Sequence, residues 1–209
     1  MKVVVRVLAE LAPDFVLAPE RHIAIAQAGD GVPLGDLVEE RSDRIDPAKG
    51  SGAVVLDTSH ARDGILDVAG ALRDVAGSKS AKKRALAGDL VVSRLRPYLR
   101  QIALVHPRAM AAAEGRPLAL STEFYVLAPR VPGQDLGFLV PFLLSSEAQR
   151  VLASAQEGGH HPRVPRSSLF ALRVPRALVR TRARTSRAVA EALADFYGAS
   201  SHLRTLLDP

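Results

Sequence analysis

The ten residues Gly88–Pro97, which read GDLVVSRLRP, join a turn, a strand and an arginine-rich loop in direct succession. Glycine and aspartate favour the turn, and the apolar run with two adjacent valines favours the strand. Pro97 ends the strand because proline has no N–H group to donate to a ladder. The stretch therefore predicts a β-rich core with a strand that leads directly into a cationic loop.

Apolar runs on both sides of this stretch predict further strands. Each run lies between turn-forming residues and contains β-branched or aromatic side chains. The runs are residues 2–11, 53–56, 101–107, 118–129 and 169–175. Helical spacing appears in residues 136–156, and a short helix is expected for Gly35–Arg41. These patterns predict an α+β fold, with a β-rich domain of mixed or antiparallel sheets and short helices, followed by one long coiled-coil-like helix.

Residues 176–207 predict that long helix, because Gly198 is the only glycine or proline among them. An apolar seam at heptad-like spacing runs along it: Val189, Leu193, Phe196, Leu203 and Leu207. Such a seam is typical of coiled-coil pairing, although a helix that packs on its own domain shows the same stripe. We expect the seam to dock on another helix, in the same chain or in a second one. The chain then divides into a domain of residues 1–175 and a helix of residues 176–209.

The composition excludes several classes of protein. Cysteine is absent, which excludes disulfides, thiol catalysis and cysteine-bound zinc or iron–sulfur centres. No window has the roughly 18 uncharged apolar residues that a membrane span needs. The first residues, MKVVVRVLAEL, are too short and too charged for the apolar part of a signal peptide. We therefore expect a soluble cytoplasmic protein that does not bind membranes.

Arginine carries most of the positive charge. The net charge is +6, and only five of the 28 basic residues are lysines. Residues 51–100 and 151–209 hold the excess, whereas residues 1–50 are net acidic. Such an uneven distribution is typical of proteins that bind a polyanion, and the guanidinium fork suits phosphate and guanine edges. The alternative is that a GC-rich genome enriches arginine without a functional reason.

Several catalytic motifs are approached but not completed. Gly77–Ser80 lacks the residue order of a phosphate-binding loop, Gly29–Gly35 lacks the spacing of a dinucleotide loop, and no G-x-S-x-G sequence exists. The six histidines include one adjacent pair, His160 and His161, but no spacing typical of metal ligands. We expect no catalytic residues, no cofactor and no metal site, and hence no enzyme.

The order of the motifs is more specific than any one of them. The blocks are, in chain order, Val32–Leu37, Gly88–Pro97, Ile102–Val105, Ser121–Phe124, Gly158–Val164 and the long helix. This order resembles one target-recognition domain and one spacer helix of the DNA-specificity subunit of type I restriction–modification systems. The resemblance covers residues 32–207. Members commonly hold two such halves and carry a Pro-x-x-x-Gln-like motif where the spacer helix begins; this chain matches one half, and Pro175–Arg180 lacks the glutamine.

The resemblance implies a protein without catalytic activity that reads one half of a split target in double-stranded DNA. In this family a partner modification subunit methylates adenine, and a restriction or translocase subunit joins it in phage defence. Spacer helices pair antiparallel, so one half would form a homodimer through the seam of residues 186–207 and read a palindromic site. The alternative is a protein–protein interaction adaptor that uses the long helix and does not bind DNA.

Candidate DNA-binding residues fall in three groups. The first is a flexible cationic segment expected to contact phosphates: Lys79, Lys82, Lys83 and Arg84. The second lies around Pro97, where guanidinium, phenol and amide groups suit base reading: Arg94, Arg96, Tyr98, Arg100 and Gln101. The third is the glycine-rich loop with His160, His161 and Arg163. Three arginines of the long helix have two open alternatives, phosphate contact or solvation of the helix: Arg180, Arg184 and Arg187.

Overall fold

The computed structural model describes residues 30–49, 52–74, 80–158 and 162–207. The strand predicted for residues 2–11 lies outside the described residues, as do the candidate DNA-binding residues Lys79, His160 and His161. The described ranges form two four-stranded sheets, two strand pairs and seven α-helices, the last of which has 26 residues. The α+β fold expected from the sequence is confirmed.

The strands and helices are short except at the end of the chain. In chain order the strands are β1 (Gly31–Pro33), β2 (Val38–Glu40), β3 (Arg44–Ile45), β4 (Val54–Leu56), β5 (Ala61–Arg62), β6 (Ile65–Leu66), β7 (Lys82–Ala85), β8 (Leu90–Ser93), β9 (Ile102–Leu104), β10 (Leu118–Leu120), β11 (Phe124–Pro129) and β12 (Arg173–Pro175). The helices are α1 (Val68–Arg73), α2 (Pro107–Ala111), α3 (Leu139–Leu143), α4 (Ser146–Ser154), α5 (Arg166–Phe170), α6 (Arg176–Arg180) and α7 (Arg182–Leu207).

The first sheet, with strand order β2-β11-β8-β9, is antiparallel and buried on both faces. On β8, Leu90 and Val92 pack into a first core with helices α3, α4 and α5, whereas Val91 packs into a second core that faces the other sheet. A strand buried on both faces reads as a continuous apolar run. This is why the GDLVVS stretch shows no alternation of polar and apolar residues.

The second sheet has the strand order β3-β7-β10-β4, and only the β10–β4 pair is parallel. The single long strand expected for residues 118–129 is wrong: the chain turns after β10, where the Phe124 N–H donates to the Ser121 carbonyl (3.1 Å), and continues as β11 in the first sheet. The cationic segment expected to be flexible is also different, because Lys82–Ala85 forms β7 between β3 and β10. Backbone pairing on both sides makes that segment an inner strand.

Two expectations near the ends of the described region are corrected by strand pairing. The short helix expected for Gly35–Arg41 is absent: a single 3-10 turn at Leu34–Asp36 leads into β2, which pairs with β11 and buries Val38 completely. The strand expected for residues 169–175 begins only at β12, after α5. β12 pairs with β1 in antiparallel register, so the first described strand lies beside the start of the helical segment.

The predicted long helix consists of α6 and α7, which meet at Thr181. The part of α7 up to Tyr197 packs on the domain: Leu193 is buried in the first core, and the Tyr197 hydroxyl lies within hydrogen-bond distance of the Leu66 N–H (2.9 Å) and carbonyl oxygen (3.2 Å). Val189 also packs against this core, which includes residues of α3 and α4, so this part of the seam docks within its own chain. In the described ranges, no helix has the length and hydropathy to cross a membrane.

Candidate nucleic-acid interface

The turn that follows β8 has an unusual backbone. A single 3-10 turn over Pro97–Leu99 is flanked by Arg96 (φ 42°) and Arg100 (φ 54°), both in the left-handed region. Each such residue costs about 1–3 kcal/mol when it is not glycine, and such strain is typical of functional loops. The turn thus holds two arginines in a backbone conformation that a simple connection between β8 and β9 does not require.

Neighbouring elements hold this turn in place through Arg100. Its Nε donates to Asp63 Oδ1 (2.6 Å), and a terminal nitrogen donates to the Leu144 carbonyl (3.0 Å). The Gln101 side-chain oxygen is buried without a hydrogen-bond partner in the described structure. Arg100 is thus anchored to the protein although 47% of its side chain is exposed, whereas Arg96 is exposed and the Tyr98 side chain is 67% exposed. Arg96 and Tyr98 are the exposed residues of the predicted base-reading group for which no ion pair or side-chain hydrogen bond is seen with the described residues.

Arg163 and Arg94 share the carboxylate of Glu123. Arg163 donates from Nε to Oε2 (3.0 Å) and from a terminal nitrogen to Oε1 (2.8 Å), while Arg94 Nε lies 3.7 Å from Oε2. The hydrogen bond from Arg163, together with the charges of both arginines, lowers the pKa of Glu123. The backbone is joined as well, since the Val164 N–H donates to the Arg94 carbonyl (2.8 Å). The segment after residue 161 is thus fixed to the end of β8.

Lys83 and Arg166 share a second carboxylate, that of Glu40. Lys83 Nζ donates to Glu40 Oε1 (2.9 Å) and to the Phe124 carbonyl (2.6 Å), and Arg166 Nε donates to Glu40 Oε2 (3.0 Å). Lys83 is largely buried, with 12% of its side chain exposed, whereas Arg166 is 57% exposed. Lys83 therefore binds Glu40 from beneath the protein surface, whereas Arg166 binds it at the surface.

Tyr125 connects the two carboxylate sites. The centre of its ring lies 5.5 Å from Lys83 Nζ and 5.7 Å from the guanidinium carbon of Arg94. Its hydroxyl donates to the Val164 carbonyl (2.8 Å), and burial raises the pKa of Tyr125. We call the four cations around this ring the cationic cluster: Lys83, Arg94, Arg163 and Arg166. Two carboxylates face the four cations, so the cluster keeps an excess of positive charge.

The structure brings members of all three predicted groups close together but leaves others apart. Lys83, Arg94 and Arg163 meet in the cationic cluster, beside the strained turn. Lys82 and Arg84 lie on β7, where Arg84 is exposed and Lys82 Nζ donates to Ser80 Oγ (3.1 Å). The sequence analysis missed Arg166. Its spacing of three residues from Arg163, in the segment PRVPRSS, was the available signal.

The residues that the structure describes do not combine into a metal site or a catalytic set. No group of three or more histidine, aspartate or glutamate side chains among them is placed to hold a metal ion. His60 is buried, but its Nδ1 accepts from the Asp57 N–H (3.1 Å) and its Nε2 lies 3.1 Å from Asp74 Oδ2. These contacts close a capping box on a 3-10 turn, which is a structural role.

Sequence comparison finds no match: no family profile and no curated protein matches the chain. Solved structures match by fold. The HsdS subunit from Thermoanaerobacter tengcongensis has a TM-score of 0.50 and 24% identity, over 84% of this chain and 44% of that chain. The chain has the fold of one part of an HsdS subunit.

A second matching chain comes from a structure concerned with complex assembly and conformational transition of the type I R-M system. It also has a TM-score of 0.50 and 24% identity, over 85% of this chain and 45% of that chain. The present chain thus spans less than half the length of each of these two chains. The resemblance to specificity subunits that the motif order indicated is confirmed at the level of the HsdS fold.

Proposed function

We propose that the chain serves as one target-recognition half of a type I DNA-specificity subunit and reads part of a split site in double-stranded DNA. The observation that carries the proposal is the HsdS fold, which extends over 85% of the chain. The charge of the molecule supports it, because the chain has a net charge of +6 and four of its cations form the cationic cluster beside the strained turn.

The strained turn supplies the base-reading residues in this proposal. Arg96 is exposed and forms no ion pair with the described residues, and Tyr98 is 67% exposed. A guanidinium fork can donate two hydrogen bonds to the O6 and N7 atoms of guanine in the major groove. The hydrogen bonds of Arg100 to Asp63 and to the Leu144 carbonyl hold the backbone of the turn, which reduces the entropy that ordering this loop on DNA would cost.

The cationic cluster and Arg84 supply the phosphate contacts. A guanidinium has five N–H donors, so Arg166, which binds Glu40 through Nε, can also bind a phosphate. The two carboxylates that face the cluster hold Arg163 and Arg166 in defined positions, which suits contacts that set the register of a protein on the duplex. Phosphate contacts of this kind add affinity without sequence preference.

In this proposal a partner subunit, and not this chain, carries out the methylation. A modification subunit methylates adenine at the site that this chain selects, and a restriction or translocase subunit completes the system in a phage-defence role in the cytoplasm. The exposed apolar end of α7, with Phe196, Leu203 and Leu207 at 43%, 57% and 69% exposure, is the surface we assign to pairing with a second helix. A homodimer formed in this way would read a palindromic bipartite site.

The test is to co-express the chain with the adenine methyltransferase encoded nearest to it, map the methylated adenines and measure duplex binding by the purified complex. We expect methylation at one defined bipartite sequence. Arg96→Ala should relax the preference at one base position and weaken specific binding by about 1–3 kcal/mol. Arg116→Ala is the matched control, because Arg116 is an exposed arginine between α2 and β10 on the other sheet.

Two outcomes would contradict the proposal. A well-folded complex that binds no duplex at low salt would exclude DNA recognition, since counterion release makes phosphate binding strongest there. The same result together with a stable protein complex held by α7 would favour the adaptor function instead. Equal effects of Arg96→Ala and Arg116→Ala would exclude the turn as the base-reading element.

A further inference from the structure

A second cationic surface lies outside the proposed base-reading turn, on α6 and α7. Four arginines follow one another at steps of four, four and three residues, two on α6 and two on α7, and within each helix the spacing places the pair on one side. We call them the arginine face: Arg176, Arg180, Arg184 and Arg187. All four are exposed.

Thr181 (φ −97°, ψ 10°) separates the two arginines of α6 from the two of α7, and backbone hydrogen bonds adjoin it on both sides. The Thr181 N–H donates to the Ala177 carbonyl (3.2 Å), and the Thr185 N–H donates to the Thr181 carbonyl (3.1 Å). From the first arginine to the last, the face extends over about 17 Å at 1.5 Å per residue. Duplex DNA carries about ten phosphates over that length of its axis.

The arginine face breaks two local rules of helix stability. Cations at the start of a helix oppose its dipole, and like charges three or four residues apart repel each other. The chain has no acidic residue between 173 and 190, and the first is Glu191. In the described structure, the only ion pair of the face joins Arg176 to Asp30 (3.1 Å), and both side chains are more than half exposed. Stability of the free chain therefore does not explain this arrangement.

Contacts connect the arginine face to the cationic cluster. The guanidinium of Arg166 lies 4.1 Å from the centre of the Phe170 ring, and Gly35 packs against Phe170. The Gly35 carbonyl accepts from Arg130 Nε (3.0 Å). The loop that follows, residues 131–135, lines one groove with Arg182 and Arg187.

The surroundings of the face favour a phosphate partner over a protein. Protein interfaces usually contain exposed aromatic or large apolar anchors. Between residues 130 and 190 of the described chain, Val131 is the only exposed large apolar side chain. Asp135 lies in the neighbouring groove, but one of its carboxylate oxygens accepts from the Gly137 N–H (2.7 Å).

We infer that the arginine face binds the phosphate backbone of the duplex beyond the bases that the strained turn reads, which rests on the proposed DNA-binding function. The arginine face then adds phosphate contacts to those of the cationic cluster and Arg84, while the strained turn selects the sequence. The contact extends the footprint along the duplex toward the long helix.

The experiment compares Arg184→Gln/Arg187→Gln with Arg73→Gln/Arg116→Gln in the full chain. Both pairs are exposed and remove two charges, and glutamine retains helix propensity. Affinity is measured over a range of salt on the methylated target, as a short duplex and as one extended by about ten base pairs on each side. Circular dichroism confirms that both variants keep their helix content.

The arginine-face variant should lower the slope of log affinity against log salt by about two and weaken binding to the long duplex about tenfold, with unchanged sequence preference. The control pair should change neither quantity. Equal slopes for both variants and the wild type would overturn the inference while leaving the proposed function intact. Loss of the methyltransferase partner with unchanged DNA binding would also overturn it. Absence of duplex binding by the wild type would instead overturn the proposed function.

Discussion

Two parts of helix α7, residues 182–197 and residues 198–207, share one apolar spacing but meet different surroundings. In the first part, Ser186 Oγ accepts from the Phe138 N–H (3.0 Å), and Leu193 is buried in the first core. In the second part, Leu203 and Leu207 are 57% and 69% exposed. A periodic stripe therefore shows that a helix has an apolar side, and only the packing shows which part of that side the chain covers itself.

The difference assigns separate roles to the two parts. Burial of Leu193, together with the hydrogen bonds of Tyr197 to the Leu66 backbone, makes residues 182–197 part of the folded domain. Residues 198–207 include no buried side chain and contribute little to folding, so their leucines are available to a partner. Mutations in the two parts should consequently change different quantities.

Leu193→Ala should have the largest effect on stability. Truncating a buried leucine removes apolar contacts and leaves a cavity, so the free energy of unfolding should fall by about 2–5 kcal/mol. Leu203→Ala is the matched control at an exposed position of the same helix and should change it by less than about 0.5 kcal/mol. Urea denaturation followed by circular dichroism measures both. Similar losses for the two variants would contradict the division of the helix.

His106 should make the packing of α7 on the domain sensitive to pH. Its ring stacks on Tyr197 with centroids 5.8 Å apart, and its Nδ1 accepts from the Arg108 N–H (3.2 Å) at the start of α2. Burial, and then the charge of Arg108, lowers the pKa of His106 from its ordinary value of 6.5. The unfolded chain thus binds more protons around that pH, so stability is complete above pH 6.5 and decreases as the pH falls below it.

Thermal unfolding at about pH 7.5 and about pH 5.5 measures this dependence. His106→Asn is the matched variant, because asparagine also caps a helix and does not titrate in this range. The melting temperature of the wild type should fall more on acidification than that of the variant. An identical loss in both proteins would show that another group causes the pH dependence.

Leu203→Ser/Leu207→Ser should have the smallest effect on folding. Both side chains are more than half exposed, so the free energy of unfolding should change by less than about 1 kcal/mol. If the end of α7 pairs with a second helix, the double variant should be monomeric at concentrations where the wild type forms a dimer. Light scattering measures the mass. A dimer of unchanged stability in the variant would exclude this end of α7 as the pairing surface.

Local signals predicted the elements that local residues determine. The strand β8 and the strand β9 follow from turn residues before them and prolines after them, and α7 follows from a long segment almost without breakers. The helix expected for Gly35–Arg41 was wrong because pairing of β2 with β11, about 90 residues away in the chain, overrides local propensity. Long-range pairing also splits residues 118–129 between two sheets.

The sequence predicted which types of residue form the candidate interface, but it did not predict which of them contact each other. Lys83 and Arg163 were both expected to contact DNA, but their carboxylate partners are more than 39 positions away in sequence. Arg166 is 126 positions from Glu40, so no local pattern could join the two. The left-handed backbone at Arg96 and Arg100 had no local signal either, since arginine is not a residue that favours this conformation.

The pairing of β1 with β12 has a consequence for how such a unit can be exchanged. Val32 lies opposite Val174, so the part of the domain between β1 and β12 begins and ends at one position. A foreign domain of similar closure could be grafted between these two strands without changing the path of α6 and α7. Chimeras made at this junction would carry a different domain on the original helix and, under the proposed function, would have a different sequence preference.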